Sequence, residues 1–209
     1  MMSYFDFHHH KPHLSNGIYN LELFNTAPDF PFSAGIHPKN IVAKNIDQQL
    51  QWLKHTISEE CFAIGECGLD SLVETDSEVQ NHVFLEQIKI ANDFKKPIII
   101  HCVRKFYELI PFRKKSNQAM IIHGFNKKKK IAEDLQSNNF HLSFGKAVLY
   151  NLSLQNTLKD FPLNKLFLET DDSNFDIAEL YQKVSEIKKI TSKNLQEQIF
   201  INLETIRNG

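Results

Sequence analysis

The chain has 209 residues, is 42% hydrophobic and carries a formal net charge of -1, the composition of an ordinary globular protein without a global basic field to attract a polyanion. Any nucleic-acid contact must therefore be local. The length, and the lack of a Gly-, Pro- or Ser-rich linker, predict a single domain over residues 1–209. The longest apolar runs fall far short of the ~20 residues that span a bilayer, so no membrane partner is expected.

Taken in chain order, short runs rich in β-branched and aromatic residues predict strands at 4–8, 18–21, 32–35, 62–65, 97–100, 119–122, 140–143 and 165–168. Amphipathic stretches predict helices at 47–58, 79–94, 105–115, 127–138, 146–158, 176–190 and 195–206. Thr75 with Glu78 reads as a capping box that would start the second of these. Only residues 11–17 separate the first two strands, too few for a crossover of ~10–12 residues with its helix. The fold class is therefore α/β, a TIM (β/α)8-type barrel abbreviated or distorted by a missing first crossover helix, in keeping with a chain shorter than the ~250 residues such barrels usually take.

Three cysteines, Cys61, Cys67 and Cys102, lie on or beside predicted strands without CxxC spacing. That favours reduced thiols and a cytoplasmic location.

Five of the apolar runs finish on metal-binding residue types, and the ends of successive parallel strands converge on one face of a barrel. His8 and His10 are two apart on a strand and so share a face, with Asp6 in phase behind them, while His9 points away. Gly65 and Gly68, on either side of Glu66, would let the chain turn sharply as the carboxylate projects. His101 and His123 each leave a buried apolar strand, an unusual exit unless the imidazole has a partner. Asp171 ends the last strand, placed to hold a metal and accept a proton from water. Glu169 is in phase with it, and spacing alone does not divide the roles between them.

Four imidazoles and two carboxylates suit one or two divalent metal ions of the Zn, Mn or Mg kind better than a structural zinc, which closes with four ligands. The implied reaction is hydrolysis.

The segments DFHHH at 6–10, GIHP at 35–38, GECGLD at 65–70, IIIHC at 98–102, IIHGF at 121–125 and FLETD at 167–171 together resemble the TatD family of metal-dependent hydrolases. They match its DxHxH, GxHP, GExGLD, IHxR-like, HxFxG-like and LETD motifs, and Asn202 is placed like that family's late asparagine. The resemblance implies a TIM barrel with a metal centre and hydrolysis of nucleic-acid phosphodiesters, often from the 3' end. It also implies that His8, His10, Glu66, His101, His123 and Asp171 are the metal ligands, with Asp171 and Glu66 serving catalysis. Three features depart from the family: the missing crossover, an arginine displaced to Arg104, and Asp172 and Ser173 after LETD. Asp172 adds a charge that would repel a polyanion.

His37, Arg104 and Lys127 are the expected substrate contacts, with Lys146 as a further phosphate partner. His13, His55, His82 and His141 fit no convergent position. Trp52 and most phenylalanines read as packing, with Phe125 and Phe144 the candidates for base stacking. The expected activity is metal-dependent hydrolysis of a phosphoester in nucleic acid, nucleotide or another phosphorylated small molecule. Two alternatives keep the site: hydrolysis of an ester or amide such as the linkage of a misacylated tRNA, and a barrel that binds metal or substrate but no longer turns over.

Overall fold

The computed structural model describes residues 4–208; residues 1–3 and 209, the ends of the expected domain, lie outside it. Eight strands, β1 (Asp6–His9), β2 (Gly17–Leu21), β3 (Phe32–Ala34), β4 (Cys61–Asp70), β5 (Ile98–Val103), β6 (Met120–Ile122), β7 (Phe140–Phe144) and β8 (Leu166–Leu168), form one sheet in sequence order. Every neighbouring pair is parallel. Because parallel strands are covered on both faces, they read as unbroken apolar runs, and Ile98, Ile99, Ile100, Met120, Ile121 and Ile122 are all fully buried.

β1 and β8 close the barrel through few contacts. A parallel bridge joins His9 to Asp171, with the Asp171 N–H donating to the His8 carbonyl at 2.9 Å and the His10 N–H to the Asp171 carbonyl at 3.3 Å. Below it, buried Asp6 accepts from the Thr170 N–H at 2.8 Å and from its hydroxyl at 2.6 Å. The rings of Phe7 and Phe167 stack at 4.2 Å. Two charge-assisted hydrogen bonds and a stacked pair thus hold the seam where strand pairing is thinnest.

The helices are α1 (Ile46–Thr56), α2 (Ser77–Phe94), α3 (Leu109–Arg113), α4 (Lys129–Ser137), α5 (Leu152–Asp160), α6 (Ile177–Lys188) and α7 (Ser192–Asn208). No described helix is long and apolar enough to cross a membrane. As the sequence predicts, the β1–β2 connection has no helix; neither has the β2–β3 connection. Pro28 and Pro31 remove helical donors from that second segment, and Phe24 within it has a φ of 69°.

Other elements differ in detail from the sequence reading. The cap of α2 is Asp76, whose carboxylate accepts from the Glu78 N–H at 2.7 Å, while the Thr75 hydroxyl donates to the Pro38 carbonyl at 3.1 Å. The capping box is therefore not formed. The helix expected at 105–115 shortens to a 3-10 turn at Phe106–Glu108 followed by α3. The one expected at 146–158 divides at Asn151, whose side chain caps α5 by accepting from the Leu154 N–H.

β4 departs most. Rather than turning at Gly65, it runs on to Asp70, with a register shift against β5 between Ile64 and Cys67. Gly65, with a φ of 151°, lies in this bulge, and Gly68, with a φ of 141°, follows it where pairing with β5 has resumed. A Cβ at either would collide with a β5 carbonyl, that of Ile99 or of His101.

Candidate metal centre

Glu66 lies at the bulge, buried, with imidazoles on both of its oxygens. Oε1 is 2.8 Å from His101 Nδ1, 2.8 Å from His123 Nε2 and 3.4 Å from His37 Nε2. Oε2 is 3.7 Å from His8 Nε2 and 3.9 Å from His10 Nε2. Asp171 Oδ1 faces the same pair, 3.7 Å from His8 and 3.4 Å from His10. All six expected ligands come together around one carboxylate.

The donor set fits divalent cations on two grounds. Ligands held ~2.1 Å from a tetrahedral cation stand roughly 3.4 Å from each other, close to the 3.4 to 3.9 Å spacings among His8, His10, Glu66 and Asp171. Both ring nitrogens of fully buried His8 lack a hydrogen-bond partner among the described residues, a costly arrangement unless a further group meets Nε2. On the other side, His101 Nε2 is 2.9 Å from Asp70 Oδ2. Asp70 thus orients the ring and takes its N–H, leaving the Nδ1 lone pair aimed at the Glu66 oxygen, where two acceptors need a positive charge between them.

Electrostatics follow from the same geometry. Burial favours a neutral Glu66, but the His123 charge and hydrogen bonds from His123 and His37 hold its pKa well below the carboxylate range. Burial also opposes protonation of His123, and Glu66 and Glu169 outweigh it, raising that pKa well above the ordinary value. The His10 contact raises its own pKa through Asp171; Asp171, despite burial, is held low by His10. The pocket keeps both carboxylates ionised, as cation ligands must be.

His37 lies within ligand reach, yet its Nδ1 accepts from the Lys39 N–H at 3.0 Å. The proton is thereby assigned to Nε2, and burial lowers the pKa, so a neutral N–H faces Glu66. Arg104, with a φ of 59°, and Lys127 are both exposed beyond the ends of β5 and β6. Lys129 and Lys130 instead pair with Asp160 and Asp134. Phe125 and Phe144 are 1% and 0% exposed, which removes them as stacking surfaces. They pack edge to face at 5.6 Å.

Three residues of the site carry no role in the sequence reading or an undivided one. Asp70 orients His101. Asn20 grips Glu66 twice, accepting from its N–H at 3.1 Å and donating to Oε2 at 3.4 Å. Buried Glu169 accepts from the Gly124 N–H and stands 3.6 Å from His123 Nδ1, so of the two carboxylates that follow β8 it is Asp171 that faces His8 and His10. Beside Glu66 and His10 opens a cavity of about 580 Å3, bordered by Asn20, Glu22, His37 and Lys39.

A model of the family described as TatD related DNase matches residues 11–208. The chain belongs to the TatD family. Among TatD relatives, it is 29% identical over 164 residues to an uncharacterized metal-dependent hydrolase of Buchnera aphidicola subsp. Baizongia pistaciae, covering 76% of this chain and 62% of that protein. It is 32% identical over 149 residues to the 3'-5' ssDNA/RNA exonuclease TatD of Cronobacter turicensis, covering 66% and 56%. The match thus spans about three-fifths of such relatives' length. The crystal structure of the Escherichia coli TatD homolog YjjV superposes with a TM-score of 0.78 at 18% identity, covering 98% of this chain and 97% of that one, which shows the shared barrel.

Proposed function

We propose that this TatD-family chain is a divalent-metal-dependent hydrolase of phosphoester bonds in nucleic acid, nucleotides or related phosphorylated molecules. The division of the Glu66 carboxylate carries the reading. Oε2 shares a space with His8, His10 and Asp171, and Oε1 a second one with His101 and His123. Those residues would hold one or two cations of the Zn, Mn or Mg type. Bound there, the cations supply positive charge to a phosphoryl oxygen and acidity to the attacking water.

The chain's own groups supply the rest. Asp171, its side chain 35% exposed at the rim and ionised, is the proton acceptor. Asn20 and Asp70 fix Glu66 and His101, and the neutral N–H of His37, with Arg104 and Lys127, binds the substrate's oxygens. The nuclease name of the Cronobacter relative supports nucleic acid as the substrate class, and three free cysteines support a cytoplasmic setting.

The test is hydrolysis by the metal-loaded protein and by Asp171→Asn. The variant should lose at least about a hundredfold in kcat, the scale of a missing general base, with an unchanged circular dichroism spectrum. Full activity in that variant would sink the assignment.

A further inference from the structure

On the side of Asp171 away from the large cavity, a second pocket of about 210 Å3 opens between the ends of β6, β7 and β8, lined by Asn126, Gly145, Lys146, Tyr150, Asp171 and Ser173 among others. It is smaller than the roughly 300–1,000 Å3 that hold whole ligands, and so takes one ring rather than a complete nucleotide. Three observations describe what that ring meets. Tyr150 is an aromatic side chain left 71% exposed at the pocket, immediately after a 3-10 turn that fixes its backbone. Lys146 lies on the same wall, its Nζ 5.9 Å from the Phe175 ring centroid.

Gly145, between them, has a φ of -113°, which any residue adopts. A Cβ there would meet nothing closer than 3.6 Å. Neither backbone nor packing demands glycine, so its effect is to leave the pocket floor open. An exposed aromatic face, a cation and an open floor beside a carboxylate of the metal centre form a slot for a planar π-face joined to a phosphoryl group.

We propose that this pocket is a nucleobase subsite in which Tyr150 stacks the base next to the scissile phosphoester, with Lys146 beside its phosphate. The proposal rests on the phosphoester reading above. Anisotropy of a labelled single-stranded oligonucleotide tests it on the full, metal-loaded chain carrying Asp171→Asn, so that no turnover intervenes. Adding Tyr150→Ala should weaken binding by between about fivefold and a hundredfold, the worth of one base–aromatic stack. Tyr150→Phe should retain affinity, and Gly145→Val should reduce it by filling the floor. For an oligonucleotide with abasic positions, Tyr150→Ala should change nothing.

Unchanged affinity in Tyr150→Ala, an equal loss for the abasic strand, or no oligonucleotide binding by the parent chain overturns the subsite. Turnover of a ring-free alkyl phosphodiester by the chain with native Asp171 judges the hydrolase reading separately. Such turnover with ring-independent binding overturns the subsite alone; ring-dependent binding without turnover of any phosphoester supports the subsite and overturns the hydrolase.

Discussion

At Glu66, one carboxylate oxygen lies 2.8 Å from two imidazoles while the other stands 3.7 and 3.9 Å from two more. The six residues around this division are legible in the sequence because a polar group closing a buried apolar strand is a local pattern. Asp70 is not legible in that way. It sits in GECGLD, but its role depends on β4 continuing beyond the bulge to pair Gly68 with His101 and Asp70 with Val103, a register set by non-local packing. Asn20 is similar, since its bond to Glu66 spans two intervening strand pairings. Replacing Asp70 with Asn keeps a hydrogen-bond acceptor for His101 but removes the charge that makes Nδ1 a good donor. Asp70→Asn should therefore weaken metal binding by about ten- to a hundredfold, the usual effect of an outer-shell partner, measured by calorimetric titration with Zn or Mn. Unaltered affinity would show that Asp70 only packs.

Among the elements, all eight strands stand where apolar runs predict them, because burial on both faces makes parallel strands continuous in sequence. Their ends are less legible. β4 overruns its expected end by five residues, Gly65 to Asp70, because glycine punctuates both turns and bulges, and only the neighbouring strand decides between them. The stretch between β2 and β3, where no helix is predicted, holds none, and Pro28 and Pro31 lack the N–H that a helix would use there. At the far end, α7 is tied to the barrel by Asn202, whose amide donates to the carbonyls of Leu163 at 2.7 Å and Leu166 at 2.9 Å. Its Oδ1 accepts from Gln198 at 2.9 Å. Asn202→Ala strands two carbonyls near β8 and should cost about 2–4 kcal/mol, read as a lower urea midpoint at unchanged slope. A change under about 0.5 kcal/mol would mean that water replaces the amide.

Across the whole molecule, the net charge of -1 does not show where the basic groups stand. Lys11, Lys39, Arg104, Lys127 and Lys146 follow the ends of β1, β3, β5, β6 and β7, interspersed with Glu22 after β2 and Asp172 after β8, so cations and carboxylates share the face that carries the centre. Composition hides this because only the barrel topology gathers those positions on one rim. The two connections without helices flank the cavity that opens beside Glu66 and His10, and the same rim carries the Tyr150 pocket on the far side of Asp171. Both open onto the centre, where under the proposed function Glu66 would serve both cation positions. Metal stoichiometry in the purified chain and in Glu66→Gln tests that role most directly, by calorimetric titration with Zn or Mn read alongside elemental analysis. Expected are up to two ions per native chain and binding weakened more than about a hundredfold in the variant. Equal stoichiometry and affinity in Glu66→Gln, or a native chain that takes up no divalent ion, would contradict it.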